Sequence, residues 1–127
     1  MIREIACHCG AVRLEVNAEL GSVTECNCST CGKSGYLSWY VPTDSVRLAT
    51  PNRGMTSYFW RFATEGFHFC RNCGIATHRT WNDSISVNAR CIVDIDVFEL
   101  ETRRNDGKHN IPDGSVPPLP KTYGGES

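Results

Sequence analysis

Phe67-His68-Phe69-Cys70-Arg71-Asn72-Cys73-Gly74-Ile75-Ala76-Thr77-His78-Arg79-Thr80-Trp81 sets the architecture. Two arms, Phe67 to Phe69 and Ile75 to Trp81, flank a C-x-x-C-G knuckle like the sides of a hairpin. Two intervening residues bring both sulfurs to the edge of one metal tetrahedron, and Gly74 can adopt the positive φ that such a turn needs. A thioredoxin-type redox pair would instead open a helix within a βαβ unit. Here Ile75-Ala76-Thr77-His78 continues as strand, so the run reads as a metal knuckle at the tip of a β-hairpin.

The rest of the chain has the same character. Ala11-Val12-Arg13-Leu14-Glu15-Val16 alternates apolar and charged residues, the pattern of a strand with one buried face. Tyr36 to Val41 and Met55 to Phe62 are aromatic and β-branched stretches, separated by Pro42, Pro51 and the turn-like Pro51-Asn52-Arg53-Gly54. Ser84 to Asp94 is the clearest period-two segment, with Ile85, Val87, Ala89, Cys91 and Val93 on one parity, and it predicts a strand of about ten residues. No helix of three turns is expected. Residues 1–111 form one β domain in this reading, and Pro112 to Ser127, holding four of the six prolines, is a surface strap or frayed tail. The length of 127 residues suits a single core rather than two.

Thirteen Lys and Arg against fourteen Asp and Glu give a net charge of -1, without the basic excess that holds a protein on nucleic acid. No apolar run approaches a membrane span, and Met1-Ile2-Arg3-Glu4 leads into no signal-like core. A cytoplasmic, reducing setting is therefore expected, and it bears on the eight cysteines. Seven fall into three tight groups: Cys7 and Cys9; Cys26, Cys28 and Cys31; Cys70 and Cys73. Disulfide frameworks scatter their cysteines to close long loops, whereas a metal site needs two sulfurs in one turn.

Cys70 and Cys73 with one further dithiol can make a closed four-sulfur zinc site, a folding staple with no catalytic role. Spacing leaves open whether Cys7/Cys9 or Cys26/Cys28 completes it. Cys26-Asn27-Cys28-Ser29-Thr30-Cys31 packs three thiolates into six residues and leaves a tetrahedron one ligand short, the formula of a catalytic zinc. Cys91 could close that site, but it shares the apolar parity of Ile85 and Val87 and reads as a core thiol. A glycine follows each group, as Gly10, Gly32 and Gly74, so all three are expected to end alike.

Cys7-His8-Cys9-Gly10, the triple from Cys26 to Cys31, Phe69 to Gly74, and Asn88-Ala89-Arg90-Cys91 stand in an order that resembles the glutathione-dependent formaldehyde-activating enzyme family, which includes centromere-protein-V-like members. Asn105-Asp106-Gly107-Lys108 is similar to that family's acidic-Gly turn. The resemblance implies a mainly β, tent-like fold of zinc-stapled antiparallel sheets, shared with zinc-bearing Rab accessory proteins. It implies two zinc ions, a structural one on Cys7, Cys9, Cys70 and Cys73 and a catalytic one on Cys26, Cys28 and Cys31. The implied activity is that of an S-(hydroxymethyl)glutathione synthase, a carbon–sulfur lyase joining glutathione to formaldehyde.

The chemistry stands apart from the name. A thiol adds to an aldehyde as its thiolate, and zinc deprotonates a coordinated thiol, so a thiolate-holding metal is favoured over a Lewis acid already fed by three sulfurs. Glutathione carries two carboxylates, which makes Arg90, Asn88 and Lys33 candidate substrate contacts. His8 and His78, near the knuckles, are candidate acid–base groups. Trp39, Tyr58, Phe59 and Trp60 are expected as core and pocket wall. The competing reading is a non-catalytic, zinc-stabilised binding module, favoured if Cys91 closes the triple. The partners expected of the enzyme are a small thiol and an aldehyde, with neither nucleic acid nor membrane.

Overall fold

The computed structural model of the chain describes residues 1–51, 54–60 and 65–110. Strands β1 (Ile2–Ala6), β2 (Arg13–Asn17) and β5 (Val46–Leu48) form a three-stranded sheet. A seven-stranded sheet runs β10-β3-β4-β9-β8-β7-β6, with β3 Val23–Cys26, β4 Leu37–Val41, β6 Met55–Trp60, β7 Glu65–Cys70, β8 Ala76–Trp81, β9 Ser84–Asn88 and β10 Thr102–Asn105. The helices are short, α1 at Ser29–Ser34 and α2 at Gly107–Asn110. The fold is mainly β, as the sequence leads one to expect.

The core lies where the two sheets meet. Ile5, Leu14 and Val16 from the small sheet pack with Val23, Leu37, Trp39, Val41 and Val87 from the large one. Trp39, 2% exposed, is the largest side chain in it. Backbone bonds also tie β1 to the segment that follows β9, through the isolated bridge Ile5↔Ile92 and Val93 N–H donating to Glu4 O at 3.0 Å.

The knuckle hairpin is β7–β8, paired from Glu65↔Trp81 to Phe69↔Ala76. It is followed by the tighter hairpin β8–β9, where Trp81↔Ser84 leaves a two-residue turn and Asn82 takes φ 49. Asparagine tolerates that left-handed conformation better than most residues.

Two expectations change, and a third is described only in part. The long strand over Ser84 to Asp94 ends at Asn88, because the Asn88 side chain accepts a hydrogen bond from Arg90 N–H at 3.1 Å and caps a 3-10 turn over Ala89–Cys91. Alternation fails with it: Ser86 on the polar parity is fully buried, while Val93 on the apolar parity is 55% exposed. β9 sits inside the large sheet and is covered on both faces, so a single buried face was the wrong template. Second, the sheets are antiparallel except for β10, which pairs parallel to β3 from Thr102↔Val23 to Asn105↔Cys26. Such a pair needs a long crossover, and here nearly the whole domain supplies it. Third, the strand expected over Met55 to Phe62 is described as far as Trp60. Asn52, Arg53, Phe62 and the tail from Pro112 to Ser127 lie outside the described residues.

Candidate metal centres and the adjoining clefts

The β1–β2 turn and the β7–β8 turn are built alike. In the first, Gly10 N–H donates to Cys7 O at 3.1 Å, and Val12 N–H donates to Cys7 Sγ at 3.3 Å. In the second, Gly74 N–H donates to Cys70 O at 2.9 Å, and Asn72 N–H donates to Cys70 Sγ at 3.3 Å. Both glycines take positive φ, 82 and 79, which a side chain would resist. The two turns face each other and bring the sulfurs of Cys7, Cys9, Cys70 and Cys73 within 4.8 Å of one another. The Cys7–Cys9 and Cys9–Cys70 sulfur distances are 3.8 and 3.6 Å. A tetrahedron with bonds of about 2.3 Å to sulfur has edges of about 3.8 Å, so the donor set fits a zinc-sized ion. Cys7/Cys9 is thus the dithiol that joins Cys70 and Cys73.

The sulfurs differ in charge affinity. Cys9, held by Asn72, is lowered to about 6. Burial pushes Cys7 up to about 11.

Cys26, Cys28 and Cys31 form the second group, also within 4.8 Å of one another, and all three are buried. Cys26 ends β3, and α1 starts at Ser29, so Cys28 and Cys31 lie across its first turn. Cys28 N–H donates to Cys26 Sγ at 3.4 Å, and Asn105 Nδ2 from the end of β10 reaches the same sulfur at 3.5 Å. The third glycine departs from expectation. Gly32 is helical, its N–H donating to Cys28 O at 2.7 Å, and Gly35 is the residue with φ 71 that closes α1 on Cys31 O. Three closely spaced sulfurs continue the chain as a helical turn, where two make a loop. Cys28 is lowered to about 4, chiefly by the hydrogen bond from Cys31, whose own thiol is pushed up by the same bond and by burial.

Arg79 opposes that push on Cys31. From β8 its Nη1 donates to Cys31 Sγ at 2.6 Å, and its Nη2 donates to Glu65 Oε1 at 2.7 Å. The guanidinium lies 5.4, 5.9 and 5.4 Å from the ring centroids of Tyr36, Phe67 and Trp81. Sequence reasoning missed Arg79, Glu65 and Tyr36. The available signal was a lone charge at Arg79 flanked by Thr77 and Trp81 on one parity of an aromatic-rich strand. Alternation also turns His78 the other way, onto His68, with ring centroids 4.5 Å apart. The acid–base role expected for His78 therefore has no geometric support beside the triple.

A cleft of about 500 Å³ opens over the triple, lined by Cys26 and Cys31 with Gly35, Tyr36, Arg90, Arg104, Asn105 and others. Arg90 Nε donates to Gly35 O at 3.0 Å, which anchors the guanidinium at the rim. Asn88 is committed to the backbone: its Oδ1 accepts from Leu37 and Arg90 N–H, and its Nδ2 donates to Ala76 O at 2.9 Å. Arg90 and Gly35 also line a second cleft of about 600 Å³ with His8, Tyr58, Phe67 and Cys91. Lys33 lines a third with Tyr58 and Phe67, so the three clefts run into one another around α1. Tyr58 is the pocket wall expected of it, and Trp39 is core. Cys91 belongs to neither sulfur group; burial raises it to about 12, and its Sγ lies 3.5 Å from Ala76 O.

Residues 2–109 match the family model for the glutathione-dependent formaldehyde-activating enzyme. The chain belongs to that family. A crystal structure of a Rhodobacter sphaeroides protein is also similar, with a TM-score of 0.70 and 27% identity over 79% of this chain and 99% of that one. The matched span of the glutathione-dependent formaldehyde-activating model takes in both sulfur groups, Arg79 and every cleft-lining residue named above. Membership supports a glutathione-related, formaldehyde-activating function in general terms, and both sulfur groups can hold metal ions. Among the described residues of this family member, no helix is long and apolar enough to cross a membrane.

Proposed function

We propose that the protein adds a small, glutathione-like thiol to formaldehyde or a related aldehyde, a carbon–sulfur lyase-type activity in a cytoplasmic setting. Chemistry is assigned to Cys26, Cys28 and Cys31 with a zinc ion, and Cys7, Cys9, Cys70 and Cys73 hold a second, structural zinc. One observation carries this reading: of three clustered, buried sulfurs, those of Cys26 and Cys31 belong to residues lining a cleft, with no fourth cysteine in their group among the described residues. Such an incomplete donor set leaves room for a substrate atom. A triple completed by Cys91 would favour the binding-module reading, and Cys91 lies outside the group.

Cys26, Cys28 and Cys31 would hold the zinc, which would supply the positive charge that keeps an incoming thiol deprotonated near neutral pH. In the reaction the thiol gives up its proton and its sulfur lone pair forms the new S–C bond. The C=O π pair moves to oxygen, which takes up a proton, so nothing is oxidised or reduced. Arg90, pinned through Nε, turns its remaining nitrogens to a substrate carboxylate at the rim, and Arg104 shares the cleft. Asn88 serves this contact by positioning Arg90 through the capped 3-10 turn. Lys33 reaches the substrate where the peptide extends around α1 into the third cleft.

The test is glutathione–formaldehyde adduct exchange followed by NMR on zinc-loaded protein, with Cys28→Ser as control. Acceleration over the uncatalysed exchange that Cys28→Ser abolishes, with the circular dichroism spectrum intact, supports the proposal. No acceleration, with two zinc ions bound per chain, overturns the glutathione assignment and revives the binding module.

A further inference from the structure

We propose that Arg79 is a positioning residue for the sulfur triple: its contact fixes the orientation of the Cys31 sulfur and so sets how tightly the triple keeps its metal. This inference rests on reading the triple as a metal site.

The geometry is that of a built contact. Arg79 comes from β8 and Cys31 from α1, 48 residues apart in the chain, and they meet at 2.6 Å between Nη1 and Sγ. Both ends of the Arg79–Glu65 pair are sealed from water, at 6% and 2% side-chain exposure. Burying a guanidinium and a carboxylate is expensive, and an apolar pair of the same volume is often no worse for stability. A pair kept only for packing would have no reason to direct one arm of its fork at a sulfur.

The rest of the arrangement holds that fork still. Glu65 takes Nη2, and the rings of Tyr36, Phe67 and Trp81 surround the guanidinium at 5.4 to 5.9 Å from its central carbon. With Nη2 on Glu65, the other arm of the fork is a directed hydrogen bond on one sulfur of the triple. Such a bond fixes the direction of the Cys31 sulfur before the metal arrives. Groups that orient metal ligands in this way commonly change affinity by about 10–100-fold when removed. Lysine cannot replace the planar fork, because one ammonium would have to serve both partners.

The experiment compares the parent with Arg79→Lys and with the double variant Glu65→Gln/Arg79→Met, which removes both members of the buried pair. Zinc is competed away with a chromophoric chelator, and cobalt(II) is substituted to record the thiolate-to-metal absorption of each group. The double variant is expected to lose about 10–100-fold in affinity at the triple, with the four-sulfur group unchanged. Arg79→Lys is expected to lose affinity at the triple by a smaller factor and to shift only that group's cobalt band. Equal weakening of both groups would mark Arg79 as merely structural and overturn the proposal. So would affinity at the triple within twofold of the parent in either variant; Arg79→Lys alone decides if the double variant does not fold. A parent that binds a single zinc would instead bring down the metal reading of the triple itself.

Discussion

His78 shows how one buried residue couples the fold to pH. Its ring stacks on His68, and burial, helped by the neighbouring His68, lowers it to about 3. A histidine lowered in the folded state binds fewer protons there than when unfolded, so folding is penalised once pH falls below the unfolded value of about 6.5. The contribution is intact above about pH 6.5 and is lost progressively between there and the folded value, on the order of 4 kcal/mol in all. Urea unfolding from pH 7 to pH 4 should show stability falling with pH in the parent and a shallower fall in His78→Phe. Equal slopes would mean that the ring is solvated in solution. Arg79 and Glu65 set a companion case: Glu65→Gln alone strands a buried guanidinium and should cost roughly 3–5 kcal/mol, measured by the same method.

Elements are where the glycines separate. Gly74 has φ 79 and open space where a Cβ would stand, so Gly74→Ala pays only for backbone strain, about 1–2 kcal/mol. Gly32 lies inside α1, its φ is not positive, and a Cβ would meet Asn27 O at 3.5 Å, an ordinary contact. Gly32→Ala should therefore stabilise by about 0.5–1 kcal/mol through helix propensity. The pair is read from thermal midpoints on zinc-loaded protein, and the reverse order would mean that α1 is not helical at Gly32. Legibility differs along the same lines. The β7–β8 hairpin and its knuckle could be read because two cysteines, a glycine and flanking strand residues are all local signals. β9 was legible at its start, Ser84, but not in its end at Asn88 or its two buried faces, since Ser86 and Asn88 are buried by Tyr36 and by neighbouring strands that composition does not place.

Across the whole molecule, the four-sulfur group is the link that matters most. It joins a turn of the small sheet to a turn of the large one, over residues more than sixty apart in the chain. Structural zinc in small thiolate sites contributes on the order of 10–16 kcal/mol of apparent folding free energy, comparable to a domain's whole net stability. A strong chelator that empties this group should therefore unfold the domain cooperatively, seen as loss of the strand circular dichroism signal at 25 °C. Emptying the triple alone should leave the fold standing, because Cys26, Cys28 and Cys31 come from one short segment beside α1. If chelation of the four-sulfur group leaves the thermal midpoint unchanged, the sheets are held by their apolar contact and the staple is dispensable.

By itself the sequence determined the β character and the three tight cysteine groups. These depend on spacing within a few residues, and a turn's geometry follows from its local composition. Even the order of Cys motifs that marks the family is a one-dimensional property. The tertiary structure alone decided that Cys7/Cys9 meets Cys70/Cys73, that Cys91 stays outside the triple, and that β10 runs parallel to β3. It also decided that Arg79 turns inward to Cys31 while Asn88 spends its amide on the backbone. Each of these is a contact between elements distant in the chain. A charge on a strand looks the same in sequence whether it faces water or a buried sulfur, and only the packing of α1 against β7 and β8 distinguishes them.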